Sequence, residues 1–260
     1  MSAAVYGRPD ENVAPLLTWS GITVDAAYAI AALTNLDPAD PVLFTATSGT
    51  LTGTAGGPQR IDTLLIVNHN LKAGTATVTL SNNNGLTPVV GTLLTYANGH
   101  RAAVYFDLTG QSVGVRTATS WSLAFATNDA NLAIGEILAY SAKRSLTRNI
   151  KWGLVAPEEH ANVRVSSTLG VDIVYRPELW HRGVKGSIQT TDAGATDLLE
   201  LSRAAQGGGI GFLFLLDPAV PTGAYMARFQ SDAFTPRYDF LDNVEVSDFV
   251  LEEVPKGPRL

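Results

Sequence analysis

Four histidines, His69, His100, His160 and His181, are the side chains here best suited to proton or metal chemistry near neutral pH. Their spacing gives neither HisXXXHis nor HisGluXXHis, the patterns that set two imidazoles on one helical face toward a metal ion. His69 lies in Asn68-His69-Asn70-Leu71, directly after an apolar run. A ring at such a strand end is expected to hydrogen-bond backbone. Glu158-Glu159 and Glu252-Glu253 are the adjacent acidic pairs. Neighbours in a strand point to opposite faces, so neither pair can act as a carboxylate dyad, and both read as solvated edges. Asp37, Asp40 and Asp62 lack the spacing of an oxygen-ligand calcium loop. No serine sits in a GlyXSerXGly elbow. Gly207 to Phe212 superficially looks like a phosphate-binding loop, but such a loop follows a strand and opens a helix, whose N-terminus supplies the donors. Here the glycines follow a helical pattern and precede a strand, so a helix C-cap is the better reading. Trp19, Trp121, Trp152 and Trp180 could stack on sugar rings. Trp121 and Trp152 stand in apolar or strand-entry contexts and read as core or interface anchors. The residues therefore predict no catalytic group, no metal and no cofactor, and a chain that is not an enzyme.

Composition narrows the partners. The chain has 260 residues, 45% hydrophobic and 16% charged, with no cysteine. A typical domain carries about 25% charged residues, so Gly, Thr, Ser and Asn replace surface charge and favour strands and tight turns. Absence of cysteine excludes disulfides and thiolate sites. Net charge is -6, with 7 basic against 9 acidic residues up to Ser145 and 11 against 15 beyond it. Neither part carries the basic footprint of a nucleic-acid binder. No apolar run reaches the roughly 18 to 20 residues of a membrane-spanning helix, and the start shows no basic-then-apolar leader. A soluble protein made in a cytoplasm, without membrane insertion, is the expectation.

The elements that would position these residues are mostly strands. Residues 1–23 hold Pro9 and Pro15 and no periodicity, and read as an N-terminal arm. Strands are predicted over 61–67, 75–80, 102–107, 120–127 and 131–141, with Asn82-Asn83-Asn84-Gly85 as a turn. Residues 48–57 form a Gly/Thr-rich stretch to which no strand is assigned. Short strands separated by turn clusters indicate a sandwich or jelly roll over 24–142. Lys143, Arg144, Arg148 and Lys151 mark a linker at 143–152. Strands over 163–167, 171–175 and 183–189 follow. Next comes a helix over 192–205, with Leu198, Leu199 and Leu201 as its apolar face and Asp192 or Thr196 as its cap. Strands at 210–216, 225–230 and 243–254 complete an α+β unit over 153–254, leaving 255–260 as a tail.

Several phrases together resemble tailed-bacteriophage tail and baseplate proteins. Ile61 to Leu71 followed by Ala76 to Asn82 resembles the core of their discoidin-like, galactose-binding-like jelly rolls, and Leu132 to Ile137 resembles the closing strand of that module. Phe212 to Pro218 and Val246 to Val254 resemble the tail-tube-like β-sandwich with one flanking helix. The resemblance implies a mainly β chain, with an N-terminal jelly-roll sandwich and a C-terminal tail-tube-like sandwich or barrel. It further implies a virion structural protein that assembles into a ring with copies of itself and with neighbouring virion proteins. The order of the two modules is the reverse of the usual distal-tail arrangement, and no sugar-binding loop can be matched. Trp180, Arg182, Tyr225 and Arg228, near predicted edges, are the candidate interface residues, since interface cores favour such types. The alternatives are a glycan-binding module that attaches a particle to a host surface, and a capsid decoration or head–tail joining protein.

Overall fold

The computed structural model describes residues 3–254 except 39, 73, 95–102, 127, 147–157, 161–162, 167–171, 176–179, 221–223, 231–235 and 241–242. The first part forms β1 (Val5–Tyr6), β2 (Thr18–Ser20), β3 (Val42–Leu43), β4 (Gly49–Arg60), β5 (Thr63–His69) and β6 (Thr77–Asn82). It continues with β7 (Val89–Val90), β8 (Thr92–Leu94), β9 (Ala103–Asp107), β10 (Thr117–Ala126), β11 (Ala133–Tyr140) and β12 (Arg144–Ser145). The remainder begins with β13 (Glu158–His160), β14 (Val163–Ser166), β15 (Asp172–Tyr175) and β16 (Trp180–Thr190). The helix α1 (Asp192–Ala204), β17 (Phe212–Leu215), β18 (Tyr225–Phe229), β19 (Pro236–Phe240) and β20 (Asn243–Glu253) follow.

The protein is mainly β. Two five-stranded antiparallel sheets, β2-β4-β10-β6-β7 and β3-β11-β5-β9-β8, form the jelly-roll sandwich. A larger sheet runs β12-β1-β17-β18-β20-β16-β13, with β19 beside the first half of β20, and β14 and β15 form a separate hairpin.

Strand β5 shows why its sequence is apolar on both faces. Leu64 and Ile66 enter the sandwich core with Leu80, Phe106, Trp121, Leu123 and Ile137. Leu65 and Val67 point the other way, into a cluster with Leu138, Tyr140, Leu213, Leu215 and Met226. The large sheet has the same two-sidedness. On β17, Leu213 and Leu215 meet the jelly roll, while Phe212 and Phe214 meet Leu198 and Leu201 of the helix. The result is four layers: sheet, sheet, sheet and helix. A fully buried aliphatic or phenyl side chain contributes about 1.5–3 kcal/mol, and a ladder hydrogen bond nets only about 1 kcal/mol. Burial on both faces, more than pairing, therefore sets where β5 and β17 lie.

The described residues of the 1–23 segment, which reads as an arm, stitch the layers together. β1 lies between β12 and β17, with Val5 opposite Ser145 and Leu215. The Val13 amide donates to the Ala139 carbonyl at 2.7 Å, and β2 pairs with β4. Lack of periodicity here reflects a segment that changes sheets every few residues.

Two further expectations change. Residues 48–57 belong to a strand of 12 residues, β4. Leu51 and Gly53 face inward, and a Cβ at Gly53 would come within 3.1 Å of the Trp19 ring, so glycine makes room for that indole. The helix cap is Thr191, whose hydroxyl accepts from the Gly194 amide at 3.1 Å. Asp192 is the first helical residue, and the Thr196 hydroxyl instead donates to the Asp192 carbonyl at 3.0 Å. The buried helical face is Gly194, Ala195, Leu198 and Leu201, with Leu199 only partly covered. Beyond α1, Gln206, Gly207 and Gly208 all have positive φ. A Cβ at Gly208 would lie 2.3 Å from the Phe229 carbonyl oxygen, so the glycines turn the chain from helix to strand, as a C-cap does.

Candidate functional site

The HisAsnLeu corner is the place where the sequence most nearly offered chemistry. Asn68 ends the regular part of β5 with φ of 53°, a left-handed conformation that asparagine tolerates. Its Nδ2 donates to the Pro38 carbonyl at 2.7 Å. The buried His69 ring accepts from the Leu71 amide through Nδ1 at 3.1 Å. Burial brings its pKa down to about 4, so the ring is neutral. Asn70 donates to the Asn131 carbonyl at 2.6 Å and accepts from the Ala133 amide at 3.0 Å. Asn128 donates to the Ala130 carbonyl at 2.9 Å and accepts from the Lys72 amide at 3.2 Å. Three asparagines thus fasten the loops at one end of the sandwich. A sealed imidazole whose accepting nitrogen is spent on backbone has no capacity left for base or ligand work.

The acidic groups are similarly committed. Asp62 is buried and accepts from Arg60 Nε at 2.8 Å and Nη2 at 2.6 Å, with Arg116 closing it from inside. Two guanidiniums occupy three of its roughly four lone-pair positions and offset its charge, so it is committed to them and not to a calcium ion. Glu252 and Glu253 are not a solvated edge: β20 is an interior strand between β16 and β18, and both side chains are buried. Glu252 accepts from Arg228 Nε at 2.6 Å. Among the described residues no group of three His, Asp or Glu could hold a metal ion.

What the fold does assemble is a joint between the jelly roll and the large sheet. The buried Tyr140 hydroxyl accepts from the Leu213 amide at 3.0 Å, and the Gly7 amide donates to the Leu213 carbonyl at 3.0 Å. A Cβ at Gly7 would stand 2.5 Å from the Tyr140 ring, so only glycine lets the phenol lie across the arm. Register places Glu136 opposite Val67, Leu138 opposite Leu65 and Tyr140 opposite Thr63, one row of side chains facing the large sheet. At one end the joint opens into a cleft of about 230 Å³. Leu36 and Asp37 line it on one side, with Gly209, Gly211, Arg228, Glu253 and Val254 on the other. Sequence reasoning passed over Glu136 and Tyr140. A lone glutamate within the apolar run from Leu132 to Tyr140 was the available signal.

The candidate interface residues fall in different places. Trp180 and Arg182 lie on β16, and their side chains, like those of Trp152 and His100, are outside the described residues. Tyr225 is only 4% exposed and stacks edge-on against Phe214, with ring centroids 5.8 Å apart. Arg228 borders the cleft, paired with Glu252. Trp19 and Trp121 are buried in the sandwich core and present no stacking face. Tyr28, at 37% exposure, is the one exposed aromatic among the described residues with large exposed apolar side chains.

No family model matches this sequence, and no curated protein matches it. Among solved structures, the chain is similar to the lectin domain of lectinolysin complexed with Lewis B antigen. That likeness has 12% identity and a TM-score of 0.38, covering 51% of this chain and 97% of that one. It is similar to a Streptococcus pneumoniae fucose binding module at 13% identity and a TM-score of 0.38, covering 50% and 95%. It is also similar to SpGH29 at 15% identity and a TM-score of 0.40, where 52% of this chain matches only 29% of that protein's length.

Proposed function

We propose that this chain is a non-catalytic structural subunit of a tailed-phage particle, placed in the tail or baseplate and acting through protein–protein contacts. The observation that carries this reading is the joint: a jelly roll is welded to a second sheet by β1, Tyr140 and an apolar layer. Such a body holds one module at a fixed angle to another, which is what a subunit of a ring or tip requires. The side chains that could have served catalysis, His69 and Asp62, are spent on the scaffold. The sequence phrases that resemble tail proteins fall on β5, β6, β11, β17 and β20, strands of these layers. Ring contacts would be heterologous and close by rotation. Trp180, Arg182 and Arg228 are the positions to replace for a contact, whereas a change at the buried Tyr225 would report stability instead. Light scattering on the purified chain is expected to give a closed oligomer, and negative-stain images of labelled particles should place it at the tail. A monomer at every concentration, together with unlabelled tails, would overturn the reading. Label on the capsid surface or neck would shift it to a decoration or joining protein.

A second reading is a glycan-recognition module. It is favoured by Tyr28, which stands exposed on a turn built by Asp25. Asp25 accepts from the Ala27 amide through Oδ1 and from the Tyr28 amide through its carbonyl, both at 3.0 Å. An exposed aromatic side chain on an ordered turn offers an amphipathic surface on which a pyranose ring could stack. A glycan array with the intact chain and Tyr28→Ala tests it: binding lost in the variant supports this reading, and no binding by either removes it.

A further inference from the structure

Glu136 is the carboxyl placed in the joint itself, among the described residues of its apolar row. It sits on β11 in the row with Val67, with Leu138 and Tyr140 following on the same face. Its side chain is wholly buried, and neither carboxyl oxygen makes a well-formed hydrogen bond. The loop above it is drawn down tightly. Asn68 Nδ2 holds the Pro38 carbonyl at 2.7 Å, and that same oxygen would lie 2.5 Å from a Cβ on Gly135. Leu36, at the head of the loop, takes a φ of 65°, an uncommon conformation for a branched side chain, and packs on the apolar layer of the joint. Leu36 and Asp37 also form one wall of the cleft whose far wall is Gly209, Gly211, Arg228, Glu253 and Val254 of the large-sheet half. A carboxyl under that loop is held neutral, because charging it in an apolar layer costs more than the Leu36 and Asp37 amides return.

We propose that Glu136 is a proton-held latch: its neutral carboxyl lets the Leu36–Pro38 loop seal the joint, and its ionisation lifts the loop and loosens the jelly roll from the large sheet. Burial is the main cause that pushes its pKa up to about 9, against the downward pull of the Leu36 and Asp37 amides, with the Asp37 charge adding to the rise. On its own strand it is accompanied by Tyr140, whose phenol is itself raised by burial. Of the elements packed around the row, β9 brings Tyr105 and Asp107, and the end of β5 brings the neutral His69. The cleft wall brings Arg228 and Glu253. The sign follows from proton counts: the folded chain keeps a proton that the unfolded chain has released, so stability is fullest below the ordinary glutamate range. It declines as pH rises toward 9.

The test is hydrogen exchange at the Leu36, Asp37 and Leu213 amides from pH 6 to 10, corrected for intrinsic rates, in the intact chain and in Glu136→Gln. In the intact chain protection should fall by up to about tenfold per pH unit between pH 6 and 9 and level off above 9, and the glutamine variant should show no such fall. Parallel curves for the two proteins would overturn the proposal. Should Glu136→Gln fail to fold, carbon-13 labelling of glutamate carboxyls gives a direct reading. A Glu136 resonance titrating near 9 supports the latch, and one titrating below 6 refutes it.

Discussion

At the scale of single residues, two contacts decide how the halves meet. Tyr140→Phe removes the acceptor of the buried Leu213 amide and leaves that donor unsatisfied, a cost of about 1–3 kcal/mol. Gly7→Val forces a side chain onto the Tyr140 ring, an overpacking cost of about 1–3 kcal/mol. Because the two residues touch, the double variant should deviate from additivity, and urea unfolding of all four proteins measures the coupling. His69 gives an acid-side signature. Burial holds its folded pKa at about 4, below the unfolded value of about 6.5, so its contribution is intact above pH 6.5 and is lost as pH falls toward 4. The loss should approach about 3 kcal/mol, and His69→Gln should flatten that part of a stability–pH profile. An undiminished slope in the variant would place the acid sensitivity elsewhere. The structural part of His69 was legible from its position after an apolar run. The role of Glu136 was not, because a carboxyl's protonation depends on layers contributed by Leu36 and the large sheet, far away in sequence.

Elements follow the same division. β5, β6, β9, β10, β11, β16, β17, β18, β20 and α1 were readable because each carries its own periodicity or an unbroken apolar run bounded by turn residues. β4 was not: alternating threonine and glycine looks like a connection until β2 supplies Trp19 to fill the space over Gly53. The helix follows its apolar spacing, whereas its cap is Thr191 and not the adjacent Asp192, because either residue type can accept from the first free amides. Thr191→Ala should cost about 1 kcal/mol by removing the acceptor for the Gly194 amide. Thr196→Ala should leave stability nearly unchanged, and thermal melts of both variants separate the two positions.

Across the whole molecule, four layers rest on pairings no local pattern can reveal. Val5 finds Leu215 across most of the sequence, and Asn12 finds Tyr140 across about half of it. The candidate contact residues were drawn from predicted edges, and Tyr225 shows the weakness of that route: a strand read as peripheral lies between two others once β1 and β17 are in place. Removing residues 1–7 should expose one edge of β17 and lose the burial of Val5 and Tyr6, worth about 4 kcal/mol together. Calorimetry should then show two transitions, with the jelly roll melting separately from the large sheet. One unaltered endotherm would mean that β1 contributes little to the union.

The threading of β1 also has a consequence for biosynthesis. As the nascent chain leaves the ribosome, the jelly-roll strands can pair with one another early, but Ala4 to Tyr6 emerge about two hundred residues ahead of their partners and must wait for residues 212–215 before their slot exists. Contacts of such long sequence separation form slowly, so the docking of β1 is expected to come late in maturation, long after its own synthesis.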